Sequence, residues 1–231
     1  HTKDRAILLN QIQYGDINET NFFAFIEQSV SNNKWSFILG NRYDYFDFRY
    51  KDHLKQETKT KNVRSIISPK LQINYTVNSN SQVYFKMGKG FHSNDTRLAI
   101  TNTGKEILPA AFGTDLGMLL RPVKNLIVNA TVWYLFLQQE NIYVGDEGIV
   151  EPSGKTKRMG IDLSARYQIT KWLFADMNAN ITKPRAVGAS KGSDYIPLAP
   201  AFSSIGGLSF KAMEGWNGSI RYRYLQDRAA D

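Results

Sequence analysis

Hydrophobic and polar residues alternate along most of the chain, as they do in β-strands that have one apolar and one polar face. The clearest example is residues 159–169, MGIDLSARYQI, in which polar residues such as Asp162 and Arg166 alternate with apolar side chains. The same period of two recurs in residues 68–77 and 216–224. No segment shows the 3.6-residue period of an amphipathic helix. The pattern therefore predicts an all-β protein.

About ten strands are predicted in this way. They cover residues 20–30, 34–49, 64–77, 82–90, 112–121, 126–142, 157–169, 172–183, 198–210 and 216–227. Most of them reach or exceed the roughly 9–11 residues that a tilted strand needs to cross the hydrocarbon of a bilayer. Strands of soluble proteins average about 5–6 residues. Strand length therefore favours a membrane-spanning sheet.

The connections between the predicted strands alternate between short and long. The short ones are rich in turn-forming residues and lie at 31–33, 78–81, 122–125, 170–171 and 212–215. The long polar ones lie at 50–63, 91–111, 143–156 and 183–197. An up-and-down antiparallel meander then carries all long loops at one end, which is the plan of outer-membrane β-barrels with short periplasmic turns and long extracellular loops. Such a sheet closes because unpaired backbone groups in lipid are costly.

Aromatic residues are concentrated at the two ends of the predicted strands, as in the interfacial girdles of membrane barrels. Near the short turns lie Trp35, Tyr75, Trp172, Phe210 and Trp216. Toward the long loops lie Tyr43, Tyr45, Phe46, Phe48, Tyr143 and Tyr195. We therefore expect two girdles, one at each membrane surface.

Composition excludes several other classes of protein. The 231 residues include no Cys, so disulfide frameworks and cysteine metal sites are excluded. The longest purely apolar run is the six residues 132–137, well short of the roughly 20 that a membrane-spanning helix needs. The net charge of +8 is compatible with nucleic acid, an anionic membrane surface or an anionic ligand. No nucleic-acid partner is expected, because the aromatic residues lie mainly on the apolar faces instead of alternating with basic ones on an exposed surface.

Four segments carry short motifs in a fixed order. In residues 68–97, SPKLQINYTVNSNSQVYFKMGKGFHSNDTR, the second predicted strand of a hairpin ends in KGF before a long loop. Residues 108–144 have an acidic residue before LG and an RP…NL turn, residues 151–185 have a YQIT.W turn, and residues 196–210 have PLAP at the entry to a strand. In this order the four segments resemble successive hairpins of the TonB-dependent outer-membrane receptors.

The resemblance implies that residues 1–231 are a partial, C-terminal-side segment of a larger receptor barrel, with the plug domain and the closing strands absent. It implies a cell outer membrane location and import of a scarce ligand, most readily a ferric siderophore. The implied partners are the ligand itself, outer-membrane lipids and lipopolysaccharide, and a TonB-type energy-coupling complex that acts through the plug. Basic loop residues are expected to contact lipopolysaccharide phosphates, for example Lys51, Lys55, Lys59, Lys61 and Lys191.

Two groups of residues are candidates for function. Polar-face residues expected to line the lumen are Lys86, Asp162, Ser164, Arg166, Asp176, Arg221 and Arg223. The basic members either attract an anionic iron chelate or form ion pairs with carboxylates such as Asp162 and Asp176, since an isolated buried cation is costly. Aromatic and histidine side chains at the loop entrances are candidates for ligand capture, namely Phe91, His92, Tyr143 and Tyr195. The alternative is that these are girdle or loop-packing residues.

Nothing in the sequence indicates an enzyme. No catalytic residues, metal ligands or cofactors are predicted, because the three His residues are far apart and Gly154-Lys155-Thr156 lacks the Gly that a phosphate-binding loop needs at position 149. Two other interpretations stay open. A self-contained ten-stranded passive channel requires the first strand to pair with the last, and a soluble β-rich binding protein requires the apolar faces to be buried against a second layer.

Overall fold

The computed structural model describes residues 2–3, 7–8, 14–54, 58–92, 107–144, 149–152, 154–190, 192–211 and 215–227. Its regular elements are strands, numbered here in chain order. They are β1 (Thr2–Lys3), β2 (Ile7–Leu8), β3 (Gly15–Asn32), β4 (Trp35–Asp52), β5 (Thr58–Asn78), β6 (Ser81–Phe91), β7 (Ala110–Leu120), β8 (Leu126–Leu137), β9 (Asn141–Val144), β10 (Ile149–Pro152), β11 (Thr156–Gln168), β12 (Leu173–Ala186), β13 (Phe202–Lys211) and β14 (Asn217–Leu225). Among the described residues, no helix is long and apolar enough to cross a membrane.

Ten strands form one sheet in the order β14-β13-β12-β11-β8-β7-β6-β5-β4-β3. Each strand lies beside its predecessor in this up-and-down order, and the predicted all-β antiparallel meander is therefore confirmed. The other four described strands form two small hairpins, β1 with β2 and β9 with β10. β3 and β14 are the two outer strands of the sheet order. A pairing of the first with the last strand, which a self-contained ten-stranded channel requires, is not among the described strand pairs.

Strand positions were predicted well, and strand ends less well. The predicted connection at 50–63 is mostly strand, because β4 runs to Asp52 and β5 begins at Thr58. The charged residues there suggested a loop, but Lys61 pairs across strands with Asp47, with 3.2 Å between Nζ and Oδ2. The predicted connection at 143–156 contains parts of the β9–β10 hairpin.

The predicted strand at 198–210 begins four residues too early. Leu198 adopts the left-handed conformation, with φ 59°, and Pro197 and Pro200 flank it. A proline has no N–H to donate to a strand ladder, and a left-handed residue turns the chain out of extended geometry. The strand therefore starts at Phe202, after the turn.

The larger of two compact units comprises residues 27–40, 69–90 and 110–231, and its strand registers separate an apolar from a polar face. Ile161 of β11 lies opposite Val132 of β8 and Ile181 of β12. All three side chains are exposed, Val132 at 58%. This observation does not support the soluble interpretation, which needs a covering layer. We call the face of β11 that carries Met159, Ile161, Leu163 and Tyr167, with its continuation on neighbouring strands, the apolar face.

The opposite face is polar because side chains along a strand alternate in direction. Ser164 of β11 lies opposite Asn129 of β8 and Asn178 of β12. The two faces thus run continuously across several strands, so a register shift by one residue would exchange them.

The smaller unit comprises residues 1–26, 41–68 and 91–109, and it has its own apolar cluster. Buried Phe46 and Phe48 stack on each other, with ring centroids 5.4 Å apart, and pack with Ile107 and Leu108. Phe91 meets Phe46 edge-on at 5.7 Å. The prediction that Phe46 and Phe48 belong to an exposed girdle is therefore wrong. They occupy the even positions of β4, whereas exposed Tyr43 occupies an odd position and lies on the other face.

A buried carboxylate continues the even-numbered row of β4. Asp44 is fully buried and accepts two hydrogen bonds from Arg42, at 2.8 and 2.7 Å, and one from the amide of Asn21. The Arg42 guanidinium lies over the ring of Phe23, 4.0 Å from its centroid. The buried charge is thus paired and hydrogen-bonded, as burial requires.

An ion-pair network of two exposed cations around a mostly covered carboxylate occupies the odd-numbered face near the long-loop end of β4. Arg49 donates to both carboxylate oxygens of Asp47, and Lys61 lies on the same carboxylate. Asp47 is 47 − 35 = 12 residues beyond Trp35, past the roughly 9–11 residues that cross hydrocarbon. Hydrogen bonds from Arg49 lower the pKa of Asp47 to about 2, so its carboxylate stays ionised at neutral pH.

We expect Leu163→Arg to lower the free energy of unfolding by about 2–4 kcal/mol, because it places a cation on the apolar face near the middle of the strand, at the bilayer midplane. Ser164→Arg, one residue further on the polar face, should be much milder. Denaturant unfolding of the natural gene product in lipid vesicles measures both values. Equal costs for the two variants would contradict the assignment of the faces.

Candidate functional site on the polar face

The strand registers bring most of the predicted lumen residues together on the polar face of the larger unit. Arg166 of β11 lies opposite Asp176 of β12, which lies opposite Gly207 of β13, which lies opposite Arg221 of β14. We use the name polar wall for the polar face of β6 to β8 and β11 to β14. The predicted lumen residues on this face are Lys86, Asp162, Ser164, Arg166, Asp176, Arg221 and Arg223.

One ion pair crosses a whole strand of the polar wall. Arg221 donates two hydrogen bonds to Asp176, at 2.9 and 2.7 Å, although β13 lies between their strands. The crossing is possible because the intervening residue is Gly207. A Cβ at that position would lie 3.2 Å from Cγ of Arg221 and 2.2 Å from the carbonyl oxygen of Ile220. The basic residues were expected either to attract an anionic chelate or to form ion pairs, and Arg221 forms an ion pair.

A second side chain crosses a strand in the same way. Tyr84 of β6 lies over Gly117 of β7, and its hydroxyl is 2.7 Å from the Thr131 hydroxyl and 3.0 Å from the Asn129 amide oxygen on β8. Lys86, two residues along the same face of β6, places Nζ 4.7 Å from the centroid of the Tyr84 ring. Tyr84 was not among the predicted lumen residues, although it shares the polar face of β6 with Lys86.

Two arginines of the polar wall have no carboxylate partner among the described side chains. Arg223 lines an open groove of about 500 Å³ together with Asp162, Ser164 and several Asn and Ser side chains. Asp162 accepts a hydrogen bond from Asn180 rather than from an arginine. Arg166 is the neighbour of Asp176, whose two carboxylate oxygens are occupied by Arg221. The wall therefore combines neutral hydrogen-bonding groups with cations that are not neutralised by a direct ion pair.

A second groove lies nearer the long-loop end of the polar wall. It has a volume of about 470 Å³ and is lined by Trp133, Arg158, Thr182 and residues 196–200. Glu140 accepts hydrogen bonds from Arg158 and from the hydroxyl of buried Thr156. The indole N–H of Trp133 and Nε of Arg158 are buried without a partner among the described residues. Sequence reasoning missed this groove because it depends on where residues 196–200 fold.

The four candidate capture residues do not form one described cluster. Phe91 packs against the apolar cluster of the smaller unit, and the backbone N–H of His92 donates to Pro109 at 3.4 Å. Tyr195, in the larger unit, lies beneath the guanidinium of Arg185. The side chain of Tyr143 lies outside the described residues. None of these positions tests a role in ligand capture.

Within the described part of the chain, no group of three or more His, Asp or Glu side chains is arranged to hold a metal ion. His53 instead contacts Asp16, with 2.9 Å between Nε2 and Oδ2, and packs at 5.0 Å against the ring of Tyr14.

A family model described as "TonB dependent receptor-like, beta-barrel" matches residues 4–231. No curated protein matches the sequence at a significant level. The chain is therefore related by sequence to a barrel family that spans nearly its whole length.

Solved structures share the fold. The ferric-catecholate import receptor Fiu from E. coli K12 is 13% identical, with a TM-score of 0.72, over 91% of this chain and 35% of Fiu. The ferric citrate transporter FecA is 13% identical, with a TM-score of 0.76, over 91% of this chain and 33% of FecA. The copper transporter OprC is 16% identical, with a TM-score of 0.72, over 94% of this chain and 37% of OprC. The chain thus spans about a third of the length of these structures.

We expect Gly117→Ala to lower the free energy of unfolding by about 1–3 kcal/mol, because a Cβ there lies 2.4 Å from the Tyr84 ring and forces it off Thr131 and Asn129. Gly113→Ala is the matched control on the same strand and face, where a Cβ meets only Leu135 Cδ1 at 3.9 Å. Unfolding of both variants in vesicles, each also combined with Tyr84→Ala, measures the effect. In the Tyr84→Ala background, Gly117→Ala should no longer lower the free energy of unfolding appreciably. An undiminished loss in that background would contradict the arrangement in which Tyr84 crosses β7 over Gly117.

Proposed function

This chain belongs to the TonB-dependent receptor-like β-barrel family, and we propose that it forms part of the wall of an outer-membrane receptor that imports a scarce ligand by TonB-coupled active transport. The family match over residues 4–231 carries the proposal. Barrels of this family reside in the outer membrane. The exposed apolar face is suited to contact with hydrocarbon, and the polar wall is suited to a hydrated or protein-filled bore.

The proposed ligand is an anionic ferric chelate of the siderophore type. Fiu imports a ferric catecholate, FecA transports ferric citrate and OprC transports copper, so the shared fold does not choose the ligand. The polar wall favours an anion, because neither Arg166 nor Arg223 forms a direct ion pair with a carboxylate in the described part of the chain and the net charge is +8. A chelate rich in oxygen atoms also accepts hydrogen bonds from the Asn and Ser side chains of the wall.

We propose that the ten-stranded sheet is one section of a larger barrel. Receptors of this type have 22 strands around a plugged lumen, and the chain covers about a third of Fiu, FecA and OprC. The two outer strands β3 and β14 would then each pair with a further strand, because an unpaired edge is costly in lipid. In this proposal the barrel is a rigid wall, and the energy-coupling complex acts on a plug that moves while the wall stays in place.

Ligand capture at the loop entrances is a further part of the proposal. Phe91, His92 and Tyr143 supply aromatic and imidazole groups at the ends of long connections, whereas the ring of Tyr195 is already covered by Arg185. Aromatic faces stack on planar catecholate rings, and a histidine donates a hydrogen bond to a chelate oxygen. No enzymatic activity is proposed, because the members of the family are receptors and transporters.

The proposal is tested by uptake in iron-starved cells that contain or lack the natural gene, supplied with a panel of labelled ferric chelates. We expect one chelate to accumulate only with the gene, and accumulation, but not surface binding, to stop when a protonophore dissipates the inner-membrane gradient. Uptake that continues without the gradient would show a passive channel instead. If the cells take up only copper in a gene-dependent way, the transported ligand is copper and not a ferric chelate.

A separate test addresses ligand capture. We expect His92→Ala to weaken binding of the transported chelate to whole cells several-fold, because it removes a hydrogen-bond donor at a loop entrance. His53→Ala is the control, since His53 already contacts Asp16. Equal affinities for the His92→Ala variant and the unmodified receptor would remove His92 from the capture site.

A further inference from the structure

A basic groove lies on the apolar face of the larger unit, where β11 and β12 meet the long loops. Its volume is about 600 Å³, and its lining includes Lys157, Met159, Lys183, Arg185 and Tyr195. It is distinct from the polar wall, because these residues of β11 and β12 occupy odd positions and lie on the side of Ile161 and Leu163. We use the name basic groove for these five residues.

Three cations converge in the basic groove. Lys157 lies directly opposite Arg185 in the strand register, and Lys183 lies opposite Met159, which makes it the diagonal neighbour of Lys157. Like charges directly opposite each other on one face of a sheet are destabilising. An anion bound between them would remove that repulsion.

The groove contains fewer carboxylates than cations. Arg185 lies 3.4 Å from Asp194 and stacks on the Tyr195 ring at 4.2 Å. Lys157 and Lys183 are exposed and have no acidic partner among the described side chains. In the lining the charges sum to 3 − 1 = +2. By contrast, Arg49 and Lys61 in the smaller unit are both paired with Asp47.

The position of the groove matches the level of lipid headgroups. From Lys157 to Tyr167 the strand advances ten residues, which at 3.3 Å each and a tilt near 40° is about 25 Å along the membrane normal. On the same face of β11, the exposed side chains between them are apolar, including Ile161 and Leu163. This distance equals the usual height of the apolar band of an outer-membrane barrel. Lys157 therefore lies at the border where acyl chains end and phosphates begin.

We propose that the basic groove binds a phosphate of the lipid A headgroup of lipopolysaccharide, with the acyl chains on the apolar face below it. The inference rests on the proposed outer-membrane location, in which the long loops are outside. Lipid A suits the groove because it combines phosphate charge, which three cations match, with acyl chains that cover Met159 and the apolar residues beyond it. A soluble phosphate would match the cations but not the adjoining apolar surface.

The test uses the natural gene product, purified from outer membranes in detergent and stripped of lipid. Purified lipopolysaccharide should raise its melting temperature by several degrees, whereas dephosphorylated lipopolysaccharide and inorganic phosphate should have little effect. The double variant Lys157→Gln/Lys183→Gln should lose more than half of that shift and copurify with at least threefold less lipopolysaccharide. The control variant Lys124→Gln/Lys171→Gln changes two lysines at the short turns and should behave as the unmodified protein.

An equal shift for the groove variant and the unmodified protein would overturn the proposal. If phosphatidylglycerol micelles give an equal shift, the ligand of the groove is a phospholipid and not lipopolysaccharide. If inorganic phosphate gives an equal shift, the groove binds phosphate without a lipid. Heat-modifiable migration on gels verifies that each variant folds. If the double variant does not fold, the single variant Lys183→Gln decides by the same shift. Chelate uptake is measured in the same strains. If dephosphorylated lipopolysaccharide shifts the melting temperature as much as intact lipopolysaccharide while uptake is intact, only the lipid site is refuted and the proposed transport function stands.

Discussion

The structure depends on the need to satisfy every backbone hydrogen bond of a chain placed in hydrocarbon. A strand meets that need only through its neighbours on both sides, so long antiparallel strands with continuous registers are the economical solution. Once the strands are fixed, alternation of side chains gives the sheet two different faces, and in the proposed barrel the apolar one meets lipid and the polar one the interior. The apolar face at Ile161 and the polar wall at Asp162 are two consequences of one backbone arrangement. Function then resides in what each face carries.

Much of the fold could be predicted because its determinants are local. The period of two in residues 159–169 gives the strand and both of its faces, and short turns such as 170–171 fix which strands are neighbours. The errors occurred where non-local contacts decide. The Asp47–Lys61 ion pair accompanies extension of the strands into a segment that the sequence predicts as a charged loop. The packing of Ile107 and Leu108 on Phe48 buries an aromatic residue whose position toward a long connection predicted a girdle.

The candidate site was predictable to the level of a face, but not to the level of contacts. Alternation assigns Arg221 and Asp176 to polar positions, yet their pairing requires the registers of three strands and a glycine at position 207. Tyr84 reaches Thr131 under the same condition at Gly117. Long side chains that lie flat across glycines brace the wall while leaving the space in front of it open. The basic groove has a similar origin, since its cations come from two strands, β11 and β12, and meet only through their register.

The most direct test of the account is the solvent that each residue of β11 meets in the membrane. Residues 1–231 contain no Cys, so once any cysteine elsewhere in the natural gene product is changed to Ser, single cysteines introduced from position 159 to 168 can each carry a spin label. Accessibility to oxygen, which partitions into lipid, and to a water-soluble nickel chelate is then measured in vesicles. The account predicts that odd positions are accessible to oxygen and even positions are not, with a strict period of two. Equal oxygen accessibility at neighbouring positions, or oxygen access at Asp162 and Arg166 instead of Ile161 and Leu163, would contradict it.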